Sequence, residues 1–191
     1  TVVQRLTQAG AVLVAKTTLG ELAQGDIWFG GKTKNPWDTK RGSSGSSAGT
    51  SSAVAGGLLP FGIGTETLGS IVSPSSECGA TGLRPTFGRV PRTGAMALSW
   101  SMDKIGPICR TVEDCAIVFN AIYGPDNQDF SVINAPFNYD GTKGLEGIRI
   151  AYLKKDFDRK YQTSKQDSLT LVTLEQLGAK LIPIELLDYP V

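Results

Sequence analysis

"GSSAGTSSAVAGGLLPFGIGTETLGSIV" runs from Gly45 to Val72, and the architecture of the whole chain turns on how it is interpreted. Its first third, with "RGSS" ahead of it, has the composition of a flexible Gly/Ser linker. The remainder is small and apolar, with almost nothing to hold it in water. A linker separates folded units, whereas this one leads straight into a segment that asks to be buried. Thr50–Leu58 is rich in Ala, Gly and Ser, so a helix there fits only where neighbouring backbone comes close. "FGIGT" then returns as strand. The stretch is either a hinge or a serine-rich loop held rigid for chemistry.

On the N-terminal side, Val2–Ala9 reads as an amphipathic helix closed by Gly10. "AVLVA" (Ala11–Ala15) reads as a buried strand. Thr18 and Glu21 have capping-box spacing for a short helix, and Asp26–Arg41, with two adjacent glycines and Asn-Pro, reads as loop. Ser73-Pro74 has the form of an N-cap and first helical residue, with Gly79 ending that helix. Thr111 and Asp114 open a further helix that Gly124-Pro125 stops. "IRIAYL" (Ile148–Leu153), a helix near Ser164–Leu177, Gly178 and "KLIPIEL" make a strand–helix–strand unit, which predicts parallel pairing with a crossover helix. The expected class is α/β, a mixed, largely parallel sheet with helices on both faces, in a single domain over residues 1–191.

Length and composition bound the function. The 191 residues can bury a substantial core, and 40% hydrophobic with 19% charged residues is globular rather than disordered. A net charge of +1 gives no electrostatic case for direct nucleic-acid binding. No apolar run approaches the roughly 20 residues that span a bilayer. The start, "TVVQRLTQAG", lacks a signal-peptide layout, which makes the cytoplasm the expected compartment. Cys78, Cys109 and Cys115 form no CxxC pair and read as reduced, partly buried thiols.

The chain has no histidine. That removes Ser-His-Asp and Cys-His nucleophiles and every His-dependent zinc pattern. No metal and no cofactor is expected. Two motifs mislead. "GDIWFGGKT" (Gly25–Thr33) resembles a phosphate loop, but its spacing is one residue out and two aromatics sit where backbone must wrap a phosphate. "GSSGSS" has the wrong spacing for a nucleophile elbow, which would in any case need a histidine.

Two features remain. Ser70 follows Gly69 just ahead of a predicted helix, where consecutive N–H groups can converge on an oxyanion. Ser46-Ser47 lies on a Gly-flanked loop that could fold back on Ser70, so that one hydroxyl relays a proton for another. The other reading is a packed Gly/Ser turn cluster without chemistry.

These segments resemble the amidase signature family. The resemblance rests on "GSSAGTS" (Gly45–Ser51), "GTETLGSIV" (Gly64–Val72) and "CGATGLRPTFGRV" (Cys78–Val90), and it extends to "AGAVLVAKT" (Ala9–Thr17) and to "SWSMDKIGPICRTVEDCAIVFNAIYG" (Ser99–Gly124). It implies the amidase signature fold, incomplete at both ends, and cofactor-free hydrolysis of linear amides by a Ser–cis-Ser–Lys triad. Ser70 then matches the nucleophile and Ser46 the bridging serine on a cis peptide. The N–H groups of Thr67, Leu68, Gly69 and Ser70 match the oxyanion hole. Leu68 stands where the family has Gly, Val72 where it has Arg and Glu66 where it has Asp, which points to an altered pocket.

The family's catalytic lysine lies in a P-x-x-x-K-D context ahead of the bridging serine, and the 45 residues before Ser46 contain no such run. Lys16, in the segment "AVLVAK", belongs to a different, non-catalytic part of the family pattern. The expectation is a central piece of an amidase, inactive by itself, with a small carboxamide as substrate and a tendency to self-associate. Two alternatives stand beside it: the ammonia-producing A-type subunit of a tRNA-dependent amidotransferase, and a non-catalytic remnant acting as a binding module.

Overall fold

The computed structural model describes residues 1–187. They form two compact units, one over Thr1–Tyr139 and a second from Asp140 onward.

In the first unit α1 spans Val2–Gln8, and a 3-10 turn covers Glu21–Ala23. Thr18 does not cap that turn. Its hydroxyl pairs with the Thr33 hydroxyl at 2.6 Å instead, so Gly20 occupies the capping position. Within the expected loop, β1 (Ile27–Trp28) and β2 (Gly31–Lys32) form a two-residue antiparallel ladder. Next come α2 (Ala48–Ala55), β3 (Phe61–Glu66), α3 (Val72–Cys78), β4 (Thr81–Gly82), β5 (Lys104–Cys109) and α4 (Val112–Ile122). The Thr111 hydroxyl accepts from the Asp114 amide, as capping-box spacing requires.

The α/β class with mixed strand directions holds, but the sheet that carries the site is antiparallel. β5 lies between β3 and β4 and runs against both. Strands β3 and β4 therefore point the same way, joined through α3, with β5 inserted between them. The pleat sorts the helices. On β5, Ile108 clusters with Val54 of α2 and with Ile71, while Ile105 and Cys109, of opposite parity, pack with Phe119, Ile122, Cys115 and Val118 of α4. Side chains two apart share a face, so α2 and α4 cover opposite faces of the sheet.

"AVLVA" is not a buried strand. Val12, Leu13 and Val14 are 81%, 70% and 69% exposed, and no strand among the described residues pairs with them. A strand exists only through its ladder, so an apolar run without a partner stays irregular. It lines an apolar groove with Leu6, Phe61 and Ile63, beside the unpaired edge of β3.

The second unit delivers the predicted parallel pair. β6 (Arg149–Leu153) and β7 (Lys180–Ile184) are parallel, separated by α5 (Lys154–Phe157) and the crossover helix α6 (Ser164–Gln176). No helix among the described residues is long and apolar enough to cross a membrane. The three cysteines are free and buried, and burial pushes the Cys78 thiol up to about 11.

Helix α4 offers a direct check of this packing. Ile122 is fully buried and Ile117 is 63% exposed. Ile122→Ala should lower unfolding free energy by about 2–5 kcal/mol in urea titration, whereas Ile117→Ala should stay within about 0.5 kcal/mol. Equal losses would mean that α4 is turned differently against the sheet.

Candidate active site

Most of the Gly/Ser stretch is buried in the fold. Ser43, Ser47 and Ser51 are completely buried, and Ser46 is 2% exposed. Backbone bonds tie the loop on every side. Ser43 N–H donates to Thr33 O and Gly49 N–H to Thr18 O, while Ser46 O accepts from Gly20 N–H at 2.9 Å. The Ser44 amide donates to the Asp26 carboxylate at 3.1 Å. The Gly45–Ser46 peptide is cis. A Cβ on Gly45 would overlap the Gly25 carbonyl oxygen, so glycine is required there for close approach.

Ser47 joins this loop to the strand that precedes Ser70. Its hydroxyl donates to Thr65 O and accepts from Thr65 N–H, both at 3.1 Å. Its own amide donates to Ser70 O at 3.1 Å. Ser46 and Ser70 consequently line one cavity of about 470 Å³. Neither hydroxyl is hydrogen-bonded to the other or to another protein group among the described residues. The backbone bond between the loops is what brings them together.

The turn after β3 is shaped from below by Glu66, which is 1% exposed. One carboxylate oxygen accepts from the amides of Ile71 at 2.8 Å and Val72 at 3.0 Å. Arg84 lies 3.7 Å from the other oxygen. Burial pushes the Glu66 carboxyl up, but the amides of Val72, Ile71 and Gly69, with the Arg84 guanidinium, outweigh it and hold the group below its ordinary range. This explains why α3 begins at Val72 and not after a Ser73 cap. A buried carboxylate takes the leading N–H groups, and the Ser73 hydroxyl pairs with that of Ser44 instead.

Gly69 takes φ +90°, a conformation that side-chain-bearing residues rarely adopt. The amides of Leu68 and Ser70 meet no acceptor among the described residues, while that of Gly69 lies against Glu66. Leu68 itself is 80% exposed and is not among the cavity's lining residues. Thr67 is clamped from β5 and the residue before it: its hydroxyl donates to Asp103, and its carbonyl accepts from Lys104 Nζ at 2.8 Å. Asp103 also accepts from the Leu98 and Ser99 amides. Burial opposes its ionisation, but these bonds prevail and its carboxyl is held low.

The clamping roles of Glu66, Asp103 and Lys104 are not visible in sequence. Thr67 and Asp103 are 36 residues apart, and only the β3–β5 register brings them level. Lys104 lines the cavity; Lys16 is exposed on the irregular segment, where it lines the apolar groove.

The sequence profile described as Amidase matches residues 1–190. The A subunit of the glutamyl-tRNA(Gln) amidotransferase of Coxiella burnetii (strain Dugway 5J108-111) is 42% identical over 97% of this chain, which covers 40% of that relative. Among solved structures, the corresponding A subunit from Thermotoga maritima superposes with a TM-score of 0.90 at 36% identity, over 96% of this chain and 42% of its own. Native peptide amidase from Stenotrophomonas maltophilia gives 0.88 at 38% identity, over 96% and 41%. The chain thus spans about two-fifths of the length of these proteins.

The buried carboxylate sets a pH dependence. The folded-state pKa of Glu66 lies below its ordinary value of 4.5, so its contribution to stability is present above that value and is lost as pH falls through the folded-state pKa. Glu66→Gln should cost about 1–3 kcal/mol at neutral pH, because a neutral amide oxygen replaces a charged acceptor for two buried N–H groups. The acid limb of stability against pH, followed by urea titration at successive pH values, should be shallower in the variant. An unchanged acid limb would show that Glu66 is not anchoring the turn as an anion.

Proposed function

The chain belongs to the amidase family, and from that premise we propose that it supplies the paired serines of a Ser–cis-Ser–Lys hydrolase acting on a linear carboxamide. One observation carries this reading. Ser46 and Ser70 open into the same cavity, with Ser47 binding the two backbones together.

The proposed chemistry follows from the hydroxyl pair. A neutral lysine amine takes the Ser46 proton as Ser46 takes that of Ser70, and the Ser70 oxygen attacks the amide carbon. The carbonyl oxygen becomes an anion facing the Leu68 and Ser70 amides, which meet no acceptor among the described residues, and fixed donors stabilise it without reorganising. Collapse breaks the C–N bond, and the departing nitrogen takes the proton back through Ser46. Water then adds to the Ser70 acyl ester, and the acid leaves with the Ser70 hydroxyl restored. Lys104 lines the cavity with the two serines, but the bonding around it does not favour it as the base. Lys16 lies on the exposed segment, and Lys104 is engaged by the Thr67 carbonyl.

A second reading draws on the relatives. Those 42% identical are A subunits of an amidotransferase named for glutamyl-tRNA(Gln), which supports an ammonia-producing subunit working on glutamine with partner proteins. Copurification of partner subunits with the full-length gene product, and glutamine-dependent ammonia release, would favour it. Retention of the fold as a binding module is the reading without chemistry, and a serine-directed reagent separates it from the other two.

In the full-length gene product, a fluorophosphonate should label Ser70, as located by peptide mass spectrometry, and Ser70→Ala should abolish both labelling and amide turnover. Ser46→Ala should lower the turnover rate by about 10²–10⁴, the usual weight of a positioned proton relay. Each change should move stability by less than about 1 kcal/mol, since one hydroxyl contributes little packing. Residues 1–191 alone should release no ammonia, because a serine hydroxyl is a poor nucleophile without a positioned base. Turnover by residues 1–191 that is lost on Lys16→Met would make Lys16 the base. Near-normal turnover by Ser70→Ala would refute the serine mechanism.

A further inference from the structure

The antiparallel ladder between β3 and β5 ends at Glu66 opposite Lys104. Thr67 and Asp103 are the next residues across it, and there side chains take over from backbone. The Thr67 hydroxyl donates to one Asp103 oxygen, and Lys104 Nζ donates to the Thr67 carbonyl at 2.8 Å. Thr67 is thus gripped at two atoms where the chain leaves the strand for Gly69 and Ser70.

The other Asp103 oxygen accepts from the Leu98 amide at 2.7 Å and the Ser99 amide at 3.0 Å. Ser99 O in turn accepts from the Met102 and Asp103 amides, at 3.3 and 3.0 Å, so Leu98–Asp103 closes into a compact turn around its own carboxylate. The segment leading into it, Thr93–Leu98, lines the cavity that holds Ser46 and Ser70. Arg92 fastens the start of that segment, donating to Trp100 O at 2.6 Å and to both oxygens of Asp129. Burial opposes the charge on Asp103, but the Thr67 hydroxyl, the Ser99 and Leu98 amides and the Arg92 guanidinium prevail. The three bonds it accepts are therefore charge-assisted, the stronger kind. One carboxylate holds two walls of one cavity.

We propose that Asp103 is a positioning residue for the oxyanion site: through Thr67 it locks the Ser70 turn to the cavity wall at Leu98–Ser99, and so fixes where the Leu68 and Ser70 amides point. This deepens the serine-hydrolase reading and rests on it. Donors stabilise an oxyanion only if they are already aimed when its charge develops. A turn released from Asp103 would take up a ligand as before, yet hold the anion less well, because small misplacements weigh on the rate and not on binding.

In the full-length gene product, phosphonylation of Ser70 by a fluorophosphonate reads the same donors, because the phosphoryl oxygen takes the oxyanion's place as the Ser70 O–P bond forms and fluoride leaves. The maximal labelling rate and the half-saturating reagent concentration are measured separately, and the final labelled fraction counts folded enzyme. Thr67→Val, similar in size but without the hydroxyl, should lower the maximal rate roughly tenfold, with the half-saturating concentration and the final labelled fraction unchanged. Thr67→Ser, which keeps the hydroxyl, should recover most of that rate. Asp103→Asn should slow labelling at least as much, and the double variant should be no slower than Asp103→Asn alone, since both changes break one link. A wild-type rate in Thr67→Val, single losses that multiply in the double variant, or a rate that falls only with the labelled fraction would each overturn the inference, while labelled Ser70 leaves the hydrolase reading standing. If Ser70 of the unaltered protein is not labelled at all, the reading beneath fails and takes the inference with it.

Discussion

Ser47 is the residue on which the site's geometry depends. Its hydroxyl both donates to and accepts from Thr65, and its amide reaches Ser70 O. With no side-chain exposure, these bonds form away from water, where an unmade partner would cost about 1–3 kcal/mol. Three bonds from one residue lock a Gly/Ser loop onto the end of a strand. That fixes Ser46 relative to Ser70 without any direct contact between their hydroxyls. The small helix α2 can then lie close to the sheet, and Gly62 and Gly64 of β3 leave room for Thr50 and Ser47.

The turn bearing Ser70 is held independently by charge. Glu66 gathers the amides of Ile71 and Val72, while Asp103 and Lys104 grip opposite ends of Thr67. Two buried or half-buried carboxylates therefore act as structural acceptors, each held in its ionised form by the donors around it. In such a frame the charged residues around the cavity are largely committed to the protein's own groups. Apolar side chains and the two serines line the cavity beside Lys104, whose amine donates to the Thr67 carbonyl.

Much of this is legible in the sequence because local chemistry is short-ranged. The spacing of Thr111 and Asp114 marks a helix start that the structure bears out. The strand–helix–strand pattern after Ile148 marks a parallel pair. Absence of histidine, together with the Gly/Ser and Thr-Leu-Gly-Ser segments, directs attention to Ser46 and Ser70. Failures of local reading have one source. "AVLVA" has the periodicity of a buried strand but lacks a ladder partner among the described residues, and the Thr18 and Ser73 hydroxyls bond across the fold to Thr33 and Ser44 instead of capping helices.

Residue order is enough to settle the α/β class and the position of most helices, and it singles out Ser46 and Ser70 as the candidates for hydroxyl-based chemistry. These follow from propensity, period and residue type within a few positions of one another. The folded chain is needed to establish that the sheet at the site is antiparallel, that Glu66, Asp103 and Lys104 shape the Ser70 turn, and that Arg92 is already satisfied. Each of those depends on register between strands far apart in the chain, or on which buried donor meets which buried acceptor, and neither is encoded in local spacing.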